Sequence, residues 1–125
     1  MSTLRADTIQ NTSGGAVTLT NQSAAKAWAN IDANAATPSS RNSINTSGIV
    51  DNGSGDYTCS FVSSFSAADY APSMLSYGGN GIASLLDTSD LATGSLVLNY
   101  QYDNAGTWTQ FDPDPAVFTI HGDLA

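Results

Sequence analysis

The stretch at positions 43–61, SINTSGIVDNGSGDYTCSF, restricts this chain to a narrow set of folds. Asp51-Asn52-Gly53-Ser54-Gly55-Asp56 is a dense turn signal: glycine reaches positive φ without steric cost, and Asp and Asn bond their own backbone. Beyond it, Tyr57, Cys59 and Phe61 alternate with Thr58, Ser60 and Val62, the period of two of a half-buried strand. Ahead of it stand Ile44, Ile49 and Val50. The pattern predicts two strands joined by the turn, with Tyr57, Cys59 and Phe61 on the buried face, as the nucleus of an all-β domain. None of these side chains is chemically reactive on its own.

Composition agrees. Charged residues make up 11% of the 125 positions, against roughly 25% in average proteins. Every acid is Asp, and the cations are Arg5, Lys26 and Arg41 alone. The strong helix formers Glu, Lys and Arg are therefore nearly absent, while Ser, Thr, Asn, Asp and Gly favour turns and strand flanks. The length fits one domain with a single core that needs no staples. Cys59 is the one cysteine, so an intrachain disulfide is excluded, and the residue reads as a small buried hydrophobe. The net charge of −8 repels phosphate backbones and speaks against a nucleic-acid partner. No run of about 18 apolar residues offers a membrane span, and the N-terminus lacks the apolar stretch of a secretory signal. Synthesis and folding in a cytoplasm are expected.

Residues 1–22 read as an extended N-terminal docking arm. Leu4 and Ile9 are its large apolar residues before Val17 and Leu19, and 11–15 is a Gly-rich turn signal. A few such side chains at about 1.5–3 kcal/mol each do not offset the ordering entropy of the segment, so it must lean on the domain or on another chain. Residues 23–125 read as one antiparallel β-sandwich, jelly-roll-like. A strand is expected over 26–31, where Trp28 is either a core anchor or an intersubunit contact. A polar loop is expected over 34–42 and a polar connection over 63–69. A strand over 70–77 is expected to break at Pro72. Residues 82–86 are a short apolar piece, 87–94 a loop and 95–103 the clearest later strand. A turn at 103–106 returns the chain over 107–111. Asp112-Pro113-Asp114-Pro115 stops it, because proline has no donor for a ladder. The last strand covers 116–122.

Catalytic and metal chemistry find little support. His121 is the only histidine and reads as structural; with one His and one Cys, no His- or Cys-rich metal site fits within the chain. No G-x-S-x-G elbow, P-loop or dinucleotide fingerprint occurs. The 51–56 loop offers oxygen ligands, but Gly53 occupies a ligand position of the EF-hand spacing and no closing Glu follows, so a plain turn is expected. No cofactor is expected, and no residue is nominated as catalytic.

Several segments resemble structural proteins of tailed bacteriophages of aquatic and cyanobacterial hosts. The likeness rests on Ser2-Thr3-Leu4-Arg5-Ala6-Asp7-Thr8-Ile9-Gln10-Asn11-Thr12-Ser13-Gly14-Gly15, on Ala25-Lys26-Ala27-Trp28, on the turn and strand from Asp51 to Thr58, and on Ala68-Asp69-Tyr70. Members of that group are fibre-like or virion-surface proteins, commonly trimeric. The resemblance implies a non-enzymatic virion protein, assembled in the host cytoplasm and placed on the virion surface. As a homotrimer it would decorate or cement the capsid, or form a short head fibre. Leu4, Arg5, Ile9, Val17, Leu19 and Trp28 are the interface candidates, and the major capsid protein or another virion protein is the expected partner. The alternative is a tail fibre or tail-associated protein binding a host glycan through exposed aromatics such as Tyr77, Tyr100, Tyr102 or Trp108. An enzyme acting on polysaccharide would need a carboxylate pair.

Overall fold

A computed structural model describes residues 12–14, 24–77, 82–85 and 87–124. The described strands are β1 (Ala27–Asp32), β2 (Ser39–Ile44), β3 (Thr46–Gly53), β4 (Asp56–Phe61), β5 (Ala71–Ser76), β6 (Ile82–Leu85), β7 (Leu91–Ala92), β8 (Ser95–Asn104), β9 (Thr107–Gln110) and β10 (Ala116–His121). One 3-10 turn, Thr88–Asp90, is capped by the Asp87 carboxylate. The strands form two antiparallel sheets packed as a sandwich, as the sequence suggests. Sheet A has the order β2-β1-β10-β5 and sheet B the order β3-β4-β8-β6, with β7 and β9 also pairing with β8. The expected arm falls outside the described residues except for 12–14, where a turn places Gly14 at φ 81°.

The core follows from alternation. Ala27, Ala29 and Ile31 of β1, Tyr57, Cys59 and Phe61 of β4, Leu96, Leu98 and Tyr100 of β8, and Ala116, Phe118 and Ile120 of β10 all point inward and are buried. Each large side chain among them contributes about 1.5–3 kcal/mol relative to exposure. One end of the sandwich is closed by Phe61, Phe65 and Tyr70, whose rings lie 4.5–6.0 Å apart between centroids. The Tyr70 hydroxyl donates toward Ser95 O at 2.8 Å, with Ala92 O at 3.1 Å, so a buried phenol is satisfied by the facing sheet.

Five local expectations change. Within 87–94, expected as a loop, Thr88–Asp90 forms the 3-10 turn and β7 pairs with β8. The polar stretch 34–42 is not all loop: from Ser39 it forms β2, an edge strand held by its ladder to β1 rather than by buried side chains. The stretch ahead of the turn is not one strand. Asn45, at φ 57°, turns the chain from β2 in sheet A to β3 in sheet B, and its side chain bonds both the N–H and the C=O of Ser63. Pro72 does not break β5, because an edge strand needs no donor on its open side. Trp28 is not a core anchor: the inward positions of β1 belong to alanine and isoleucine, and Trp28 lies half-buried on the outer face.

β8 is the spine of sheet B. One of its edges pairs with β4 over Ser95–Asn99 and then with β9 over Gln101–Asn104. The other edge pairs with β7 and then with β6. At the hand-over from β4 to β9, Tyr100 N–H donates to Gly55 O at 2.8 Å.

Candidate functional site

The outer faces of the two sheets differ in chemistry. Cross-strand register places opposite residues on the same face, so sheet A can be read outward row by row. Ile44 lies beside Trp28, then Thr119, then Ser73. The next row runs Asn42, Asn30, Val117 and Leu75. The Tyr77 N–H donates to Pro115 O at 3.2 Å, which carries the pairing one step further and sets Tyr77 on the Leu75 side of its strand. Ile44, Leu75 and Tyr77 are 53%, 73% and 77% exposed, so the face carries two apolar groups, Ile44 with Trp28 and Val117 with Leu75 and Tyr77, set among uncharged polar positions.

Charge is distributed unevenly. Arg41 of β2 pairs with Asp32 at 3.0 Å and with Asp114, and its other guanidinium nitrogen lies 3.3 Å from Ile31 O. Lys26 precedes β1 and donates its backbone N–H to Ile120 O. Both described cations thus border sheet A, together with four acids, Asp32, Asp69, Asp114 and Asp123. Sheet B is bordered by Asp51, Asp56, Asp87, Asp90 and Asp103, and none of its described strands bears a cation.

Interface candidates Leu4, Arg5, Ile9, Val17 and Leu19 lie outside the described residues, so Trp28 alone of that set can be placed. Of the aromatics considered for sugar stacking, Tyr100 is fully buried, and the Tyr102 ring packs edge-on against Phe111 at 5.5 Å. Tyr77 and Trp108 are exposed, but on opposite sheets. His121 is half-buried on the outer side of β10. Burial pushes the Cys59 thiol up to about 12, far from a reactive thiolate.

The 51–56 loop is held by its own bonds. Asn52 donates to Asp56 Oδ1 at 3.1 Å and to Thr58 Oγ1 at 2.9 Å, and Gly53 N–H donates to Asp51 Oδ1 at 2.9 Å. Among the described residues no group of three or more His, Cys, Asp or Glu is disposed to hold a metal ion. No described helix is long and apolar enough to cross a membrane.

Two arrangements escaped the sequence reading. The Arg41 ion pairs join β2 to the loop before β10, and Asp112 ties that loop to the 51–56 turn. Both depend on residues distant in sequence, and no local pattern announces them. No family model, curated protein or solved structure matches this chain.

Proposed function

We propose that this protein is a non-enzymatic structural component of a bacteriophage virion. In this reading it is a homotrimeric capsid decoration or cement protein, or a short head fibre. The 1–22 arm docks it to the major capsid protein or another virion protein, at the virion surface. One observation lends support: residues 24–26 lead into β1, an interior strand with β2 on one side and β10 on the other. Tension applied through an arm attached there loads two hydrogen-bonded ladders in shear. An edge strand would offer only one. The neutral Ser-, Thr- and Asn-rich surface of sheet A adds support, since such groups can be covered at lower desolvation cost than Lys or Glu.

Deleting residues 1–22 tests this reading. The truncated chain is expected to keep its β-type circular dichroism and its cooperative melting while losing its place on particles. Unchanged occupancy on particles after the deletion would overturn the docking role.

A second reading, a tail-associated protein that binds a host glycan, draws on the exposed indole of Trp108. It stands opposite Asp103, with Gln101 opposite Gln110 one step along the same face. An indole offers a flat apolar surface, and carboxylates and amides offer hydrogen bonds to hydroxyls. Glycan-array binding that disappears in Trp108→Ala would favour it over the first.

A further inference from the structure

We propose that the outer face of sheet A is the surface through which copies of this chain meet, three around a common axis. The number three rests on the reading above; the choice of face does not. Ile44 and Trp28 form one apolar pair on that face, and Val117 and Leu75 form another one step along. The positions between them are Thr119, Asn30 and Ser73, uncharged groups that are readily covered by a neighbour.

Charge selects a second copy as the occupant. A chain of net charge −8 resists self-association wherever acids would face acids. Copies meeting through sheet B would bring together the carboxylates of Asp56 and Asp103 with no described cation of that sheet between them. Sheet A has both signs at its rim: Arg41 is paired with Asp32 and Asp114 at one end, and Lys26 lies at the other end with Asp69 and Asp123. A rotated copy can therefore set Lys26 against a neighbour's Asp69 or Asp123 while apolar pair meets apolar pair. A phosphate surface would favour a cationic rim without the acids, and an acidic partner would meet this rim half-opposed. Cyclic closure then hides the face completely and leaves the acidic sheets outward, which limits growth into filaments.

The test is the mass of the purified full-length chain by multi-angle light scattering and native mass spectrometry over a wide range of concentration. The wild type is expected as a trimer. Trp28→Asp and Leu75→Asp are expected to give monomers with the wild-type circular dichroism spectrum, while Val50→Asp on sheet B leaves the trimer intact. Should Trp28→Asp fail to fold, Leu75→Asp and Ile44→Asp carry the same comparison, because both positions are more than half exposed. A wild type that stays monomeric throughout overturns the proposal, as does an oligomer that survives every folded face variant. A dimer abolished by these variants upholds the face and overturns the threefold arrangement.

Discussion

The Tyr57 hydroxyl donates a hydrogen bond to Asp112 Oδ1, and the same oxygen accepts the backbone N–H of Gly55 at 2.7 Å. Tyr57 is fully buried at the start of β4, and Asp112 follows β9. One carboxylate oxygen thus fastens the point where β8 exchanges one partner strand for another. Burial and the neighbouring carboxylate of Asp112 both keep the phenol protonated, with its pKa raised above the usual tyrosine value. The hydroxyl also lies 3.2 Å from Ala33 O, so it has a second acceptor.

Asp112→Ala is therefore expected to destabilise the fold by about 2 kcal/mol, chiefly through the Gly55 N–H left without its acceptor. Tyr57→Phe, which leaves the Asp112–Gly55 bond in place, is expected to cost about 1 kcal/mol. Urea titrations of the two variants and of their combination measure both terms and the coupling between them. Equal losses in both single variants would contradict the assignment of Gly55 as the dependent partner.

Gly55 and Gly106 separate conformation from contact. Both sit at positive φ, +70° and +87°. A Cβ at Gly106 meets nothing within 4 Å, whereas at Gly55 it would come within contact-violating distance of the Tyr100 carbonyl oxygen and 2.9 Å from the Phe111 carbonyl oxygen. Gly106→Ala is expected to cost about 1 kcal/mol, the penalty of a left-handed conformation. Gly55→Ala is expected to cost more than about 4 kcal/mol, or to prevent folding, because backbone atoms cannot step aside. Thermal melting of both variants is the measurement, and similar melting temperatures would contradict the structure at this turn.

Alkaline pH should weaken the fold in a defined order. Burial raises the Cys59 thiol from 9.0 to about 12. Tyr57, Tyr70 and Tyr100 are raised from 10.0, burial being the first cause for each. A folded-state pKa above the unfolded value stabilises below the unfolded pKa, and that stability is lost as pH rises through the window. Cys59 acts first: above pH 9 it is expected to contribute a loss of about 1.4 kcal/mol per pH unit, since unfolding then releases its proton. The tyrosines join above pH 10. Cys59→Ala should flatten the pH 9–10 part of a stability profile obtained by urea titration. A profile as steep as that of the wild type would show that the thiol is not what titrates there.

Phe65 tests the closed end of the sandwich. It stands in the connection between β4 and β5, yet it is 2% exposed and pairs through its backbone with Leu124. Gly122 lies against it: a Cβ there would meet Tyr70 Cβ at 2.7 Å and the Phe65 ring at 3.2 Å. Phe65→Ala is expected to cost about 3–5 kcal/mol, as for a fully packed aromatic. A loss below about 1 kcal/mol would mean that the end cluster is not part of the core.

Alternation made much of this fold legible. β4, β8 and β10 each carry large side chains on one face and polar ones on most of the other, and their inward residues can be read directly. Tyr100 shares the parity of Leu96 and Leu98, so its place in the core was readable even though it stood among the candidates for sugar stacking. Trp28 illustrates the limit of size as a guide. Ala27, Ala29 and Ile31 fix the inner face of β1, and small residues there let the facing sheet approach. β2 and β5 were harder because edge strands draw order from the neighbouring ladder, and Ser39–Ile44 shows no period of two in apolar residues. The face of sheet A was hidden for a related reason. Trp28, Ile44, Val117 and Leu75 come from four separate strands, and only the register brings them together.

The most direct test of a virion role is electron microscopy of intact phage particles that carry this chain, at a resolution that traces strands. The expected result is density for the sandwich on the outside of the capsid, in groups of three, with sheet A toward the shared axis and residues 1–22 against the shell. Particles whose outer surface lacks the sandwich, or on which it stands as isolated single copies with sheet A open to solvent, would contradict it.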